Sequence, residues 1–168
     1  MNSSQYYYVH LLIIGLIQIV ILNNVHLGSY FYINIYMLAL YILPHKVKGI
    51  PLLLIGFGTG ILMDMASHTA GIHAAAATLV AYTRPYFLRG ITEGAEEYGQ
   101  DGHRMLEAGW FFRYSLLSTF LFHLVLVLME AFSFRDIGIS LLRIVSSTFI
   151  SEVFVMLYYF IGLKRLTK

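Results

Sequence analysis

Long apolar runs alternate with short polar breaks from one end of the chain to the other, and six such runs can be marked. The first spans about 5–24 and closes on Asn23-Asn24 and Gly28. The second, 28–43, opens on the aromatic YFYINIY and stops at Pro44-His45-Lys46. The third, 50–66, has Pro51 in its first turn, where the missing N–H does no harm. The fourth, 71–88, carries Pro85 in its last turn, where the ring is expected to kink or end the helix. A polar segment follows, RGITEGAEEYGQDGHRMLEAG, at 89–109. The fifth run covers 110–132 and the sixth 137–163, ahead of a basic tail. A helix needs about 20 apolar residues to cross the hydrocarbon of a bilayer. The pattern therefore predicts an all-α polytopic membrane protein, a single transmembrane domain over 1–168 with six transmembrane helices. The second run is the short one.

Composition sharpens this picture. Hydrophobic residues make up 58% of the chain and charged ones 12%, with a mean hydropathy of +0.72. Soluble domains carry about 25% charged residues, and a chain this poor in charge cannot clothe a water-facing surface. The absence of cysteine excludes disulfides, thiolate metal sites and thiol catalysis. A net charge of +2 gives no reason to expect a nucleic acid partner. The first residues, MNSSQYYY, lack the basic region of a cleaved signal, so the first run is expected to stay as a membrane helix.

Lys and Arg set the orientation. With both termini cytoplasmic, Lys46, Lys48, Arg84, Arg89, Arg104, Arg113, Lys164, Arg165 and Lys168 share one side, and only Arg135 and Arg143 lie towards the other. That bias fits the positive-inside rule, whereas an odd number of spans would separate the basic tail from the basic 44–48 turn.

The third run contains GFGTGILMD, in which Gly56, Gly60 and Asp64 recur every four residues and so share one helix face. Gly56 to Gly60 is a G-x-x-x-G pair, which lets another helix backbone approach closely. The next helix offers a matching smooth face in Ala70, Ala74, Ala77 and Ala81. A tight antiparallel hairpin is expected, with Asp64 near its turn. A carboxylate at that depth must be paired, hydrated or protonated. The reading preferred here has it accepting hydrogen bonds from the 65–71 turn and capping the following helix. Other uses of the same residues are a metal site of Asp64, His68 and His73, a Ser67–His–Asp64 hydrolase, and a proton or ion relay. G-F-G-T-G has neither the G-K-[ST] of a P-loop nor the spacing of a dinucleotide fold. No catalytic, cofactor or metal residue is assigned.

Counting the helical rise from the presumed cytoplasmic ends places Glu130 level with Arg143 near the outer surface, as an ion pair, or with both side chains reaching separately to water. It brings His123 and Glu152 close enough to bond if their helices face each other. His10 and Gln18, isolated on the first helix, receive no role. The acidic 89–109 segment reads as a solvated loop and a plausible docking element for a soluble partner.

The stretch GFGTGILMDMASHTAGIHAAAATLVAY, 56–82, resembles the MreD family of bacterial rod-shape-determining membrane proteins. The resemblance rests on Gly60 four residues before Asp64, a short polar turn, then Gly71 and His73 opening an Ala-rich helix at Ala74. His68 in that turn departs from the small residues usual there, and the 89–109 loop is longer than expected. The resemblance implies a non-enzymatic scaffold of the cell-elongation machinery in the bacterial inner membrane, supporting lateral peptidoglycan synthesis. Its implied partners are the single-span MreC and, through it, MreB, RodA and a class B penicillin-binding transpeptidase. It also implies a fold like the S-components of energy-coupling-factor vitamin transporters, which supplies the alternative of a small-molecule transport subunit. Against that stands the first helix, HLLIIGLIQIVI, which lacks the A-x-x-x-A docking motif of S-components.

Overall fold

A computed structural model describes residues 3–22, 31–43, 47–92, 108–131 and 137–163. Among these residues all regular structure is helical. Helix α1 (Ser3–Leu16) widens into a π-helical turn over Ile17–Ile21, and α2 (Leu38–Tyr41) is a single turn. Helices α3 (Ile50–Ser67) and α4 (Ile72–Thr92) form a hairpin. Helices α5 (Ala108–Ala131) and α6 (Ile137–Tyr158) follow, the last ending in a π-helical turn over Tyr159–Leu163. Three stretches are long and apolar enough to cross a membrane: α3, α5 and 137–161.

The exterior is unlike that of a water-soluble domain, and polar groups lie inside an otherwise apolar core. Leu54 is 64% exposed, Met65 71% and Phe149 68%, while Gln18, Asn34, Asp64, Arg84, His123 and Glu152 are buried. Lipid covers an apolar exterior without penalty, and polar groups in such a protein turn to the bundle interior, where they find partners. Consecutive helices pack in order, α3 on α4, α4 on α5 and α5 on α6. Helix α1 is tied to α6 by His10 Nδ1 and the Tyr158 hydroxyl, 2.6 Å apart.

Two expected elements differ. Residues 31–35 are not helical, so the expected continuous span over 28–43 is replaced by an irregular strand-like segment that leads into α2. The described residues therefore contain five long helices and one non-helical segment in place of six helices. Helix α4 also runs through Pro85 to Thr92, past the expected stop at 88. A proline inside a membrane helix is tolerated where neighbouring groups re-satisfy the freed backbone. The core of the acidic segment, 93–107, and the basic tail lie outside the described residues.

The non-helical segment explains how so short a run covers so much depth. The Tyr32 N–H bonds to Ser147 Oγ and the Asn34 N–H to Ser151 Oγ, each at 3.0 Å. Two residues of the segment thus keep pace with four of α6, or about 3 Å per residue, which is extended backbone.

Candidate functional site

The α3–α4 hairpin is closed by Asp64. Its Oδ1 accepts the His73 N–H at 3.0 Å and the Thr69 hydroxyl at 2.5 Å, and its Oδ2 accepts the Ala74 N–H at 2.9 Å. These two amides open α4, where a helix leaves its donors unpaired and its dipole favours a negative charge. One side chain at the end of α3 thus caps α4. The Asp64 carbonyl accepts the Thr69 N–H at 3.0 Å and the His68 N–H, with His68 in the left-handed conformation (φ 55°). Gly71 turns the chain back at φ 85°, where a side chain is strained.

Below the cap the helices touch through their backbones. A Cβ added to Gly60 would stand 2.7 Å from Ala74 N and from His73 O. One added to Gly56 would stand 2.7 Å from the Ala81 Cβ and 3.0 Å from Ala77 O. Gly58, between them, faces open space. The seam uses only the i, i+4 pair of the three alternating glycines.

The structure does not assemble the other uses of these residues. The His73 ring bonds elsewhere, its Nδ1 3.1 Å from the Tyr36 hydroxyl. Among the described residues no group of three or more His, Asp or Glu side chains is placed to hold a metal. Within the 65–71 turn it is Thr69 that bonds the carboxylate, and His73 bonds it through its backbone N–H.

A second polar system fills the space between α1, α5, α6 and the extended segment. The Gln18 amide behaves like a strand edge: its Nε2 donates to Ile33 O at 2.8 Å, and its Oε1 accepts the Ile35 N–H at 2.7 Å and the Tyr36 N–H at 3.3 Å. His123 Nδ1 lies 2.9 Å from Thr119 O, and since a carbonyl only accepts, that nitrogen carries the proton. Its Nε2 then accepts from the Asn34 amide at 3.3 Å. Glu152 does not bond to His123, contrary to expectation. Its oxygens contact the hydroxyls of Ser115 at 2.5 Å and Thr119 at 3.3 Å, and Thr119 meets the Tyr41 hydroxyl at 2.9 Å. The two residues share Thr119, one at its carbonyl and one at its hydroxyl.

The outer pair does meet. Arg143 Nη1 and Glu130 Oε2 are 3.9 Å apart, and the Tyr32 hydroxyl sits between them. It donates to the Glu130 carboxylate at 2.8 Å and accepts from Arg143 Nη2 at 3.3 Å, with the guanidinium 5.5 Å from its ring centre. His10 and Gln18, given no role from the sequence, are both bonded across the bundle. The signal that could have found Gln18 is an amide flanked on both sides by apolar residues, 11–17 and 19–22.

A groove of about 700 Å³ runs over the outer face of the hairpin, between Leu53, Phe57 and Ile61 of α3 and Ala75, Leu79 and Tyr82 of α4. It opens outward, away from the polar interior. No family model matches the chain, and no curated protein or solved structure matches it.

Proposed function

We propose that this protein is a non-enzymatic membrane scaffold of the bacterial rod complex, in the inner membrane, binding MreC and supporting lateral peptidoglycan synthesis and rod shape. The reading draws on the resemblance of 56–82 to the MreD family. The observation that carries it is the hairpin. Every polar group of the Asp64 cap is engaged within the chain, and an apolar groove lies on the outward face of a backbone-to-backbone seam. A face held this firmly suits packing against another helix, since membrane helices associate through close packing and a few polar contacts. MreC, with its single span, supplies such a helix, and links the scaffold to MreB, RodA and the class B transpeptidase.

The test is co-purification with MreC in mild detergent, comparing the wild type with Ala75→Trp and Leu79→Trp, which fill the groove without touching the seam. Normal membrane abundance with loss of MreC from both variants is expected. Retention of MreC by both variants removes the groove from the reading. A wild-type chain that never brings down MreC, and instead carries a bound vitamin or an ATPase pair, establishes the transport alternative.

A further inference from the structure

Between α2, α5 and α6 a run of hydroxyls includes one carboxyl. The Tyr41 hydroxyl meets Thr119 Oγ1 at 2.9 Å, Thr119 Oγ1 meets Glu152 Oε2 at 3.3 Å, and Glu152 Oε1 meets Ser115 Oγ at 2.5 Å. Ser115 Oγ also lies 2.8 Å from the Phe111 carbonyl oxygen, one turn back on α5. All four side chains are buried, each 4% exposed or less. Helix α5 and the stretch 137–161 are long and apolar enough to cross a membrane. At about 1.5 Å per residue, Glu152 sits roughly 14 Å from the Ile161 end of its span.

The protons of this run can be counted. A carbonyl oxygen only accepts, so the contact with Phe111 takes the single hydroxyl proton of Ser115. The 2.5 Å contact between Ser115 Oγ and Glu152 Oε1 needs a proton too, because two bare oxygens that close repel. Ser115 has no second proton to give, so this one comes from the carboxyl. The other oxygen makes no such demand: Tyr41 donates to Thr119, and Thr119 donates to Oε2. An ionised Glu152 leaves four contacts with three protons among them, whereas a neutral one gives each contact its own. The count uses only contacts that are present. A neutral acid also suits the depth, since a charged carboxylate away from water is among the costliest groups to bury. The titratable neighbours among the described residues are engaged in their own contacts. The Tyr41 ring packs on Tyr114 at 5.6 Å, His123 directs Nδ1–H to Thr119 O, and Arg84 of α4 donates to Leu43 O.

We propose that Glu152 is a proton-binding site within the membrane, a neutral carboxylic acid that donates to Ser115 and accepts from Thr119, with Tyr41 behind it. The ligand is a single proton, and α2, α5 and α6 each contribute to its site. Release of that proton turns the Ser115 hydroxyl from the Phe111 carbonyl to the carboxylate, so one hydroxyl rotor records whether the site is filled. This stands apart from the scaffold reading, since it concerns the bundle interior and not the α3–α4 groove.

Infrared difference spectra of the full chain test this, recorded at neutral pH in a mild detergent that has no carbonyl group. Glutamine matches the shape of the neutral acid and keeps one donor and one acceptor, so Glu152→Gln should fold. Wild type minus Glu152→Gln is expected to show the C=O stretch of a protonated carboxyl, shifted in D2O, and no carboxylate bands. Ser115→Ala removes the acceptor of the carboxyl proton and should move that band to higher frequency. Thr119→Ser keeps the hydroxyl and should leave it in place. Should Glu152→Gln fail to fold, wild type minus Ser115→Ala carries the test, because a shifted C=O band arises there only from a protonated carboxyl. Carboxylate bands in either difference spectrum, or a C=O band that Ser115→Ala does not move, mean that Ser115 does not take its proton from Glu152, and the proposal falls.

Discussion

Asp64 shows what a carboxylate does to persist inside an apolar hairpin: both its oxygens are filled by groups that the fold leaves without partners. Replacing it by alanine strands two amides at the start of α4 and one threonine hydroxyl. With an unmatched buried donor costing about 1–3 kcal/mol and a lost cap about 1 kcal/mol, Asp64→Ala should lower stability by about 2–4 kcal/mol. Asp64→Asn keeps one acceptor oxygen and should fall between. Melting of the purified variants checks the order wild type, Asn, Ala, and equal melting temperatures would remove the cap from the account. The glycines separate just as sharply. Gly58→Ala places its methyl in open space and should be neutral or gain up to about 1 kcal/mol of helix propensity. Gly60→Ala drives the same methyl into the backbone of α4 and should destabilise, with Gly56→Ala next. A Gly60→Ala protein as stable as the Gly58→Ala protein would contradict the seam. This part of the site was legible, because a four-residue repeat on a helix fixes a face whatever surrounds it.

At the scale of elements the extended segment is the departure. Backbone without helical pairing survives in a membrane protein only where protein groups take over its hydrogen bonds, and here Gln18, Ser147 and Ser151 do so from two sides. Gln18→Leu removes three bonds to the segment and should free the amides of Ile35 and Tyr36 to exchange with solvent much faster than in the wild type. Gln18→Glu keeps the acceptor and loses the donor, and should be intermediate. Hydrogen exchange read by mass spectrometry over 31–41 checks both, and protection unchanged in Gln18→Leu would show that the segment is held by packing alone. The sequence carried half of this. A run of 14 residues or so is too short for a helical crossing, and the aromatic alternation of YFYINIY suits an extended chain as well as an interfacial belt. The partners were hidden, since they depend on which helix lies alongside. The same distinction explains the two polar pairs. A regular rise converts residue number into height, which brought Glu130 level with Arg143. Height does not fix which atoms meet, so His123 and Glu152 arrive near each other and both bond to Thr119, one to its carbonyl and one to its hydroxyl. Pro85, expected to kink or end α4, does not end it, because the local rule that proline stops a helix is weaker than the packing of α4 on α5.

Across the described residues the ordering principle is an apolar exterior around an apolar core that holds the polar groups in clusters. The composition alone declared it, while the residues that meet inside became visible only once the helices were placed. It makes a demand that a water-soluble bundle would not. On α6, Val145, Phe149 and Val153 are 62%, 68% and 53% exposed, and Phe149 is close to the middle of the span. On the surface of a soluble protein a lysine at any of them would be tolerated within about 0.5 kcal/mol. In a bilayer the central position is the worst, at about 3 kcal/mol for a lysine at mid-helix, and the penalty shrinks towards the ends as the side chain reaches the interface. Phe149→Lys should therefore reduce insertion of the chain into membranes more than Ile137→Lys at the start of the same helix, although both residues are exposed. Measuring the membrane-inserted fraction of each variant tests this directly. A Phe149→Lys protein inserted as fully as Ile137→Lys, or recovered folded from the soluble fraction, would show that the apolar exterior is covered by something other than lipid.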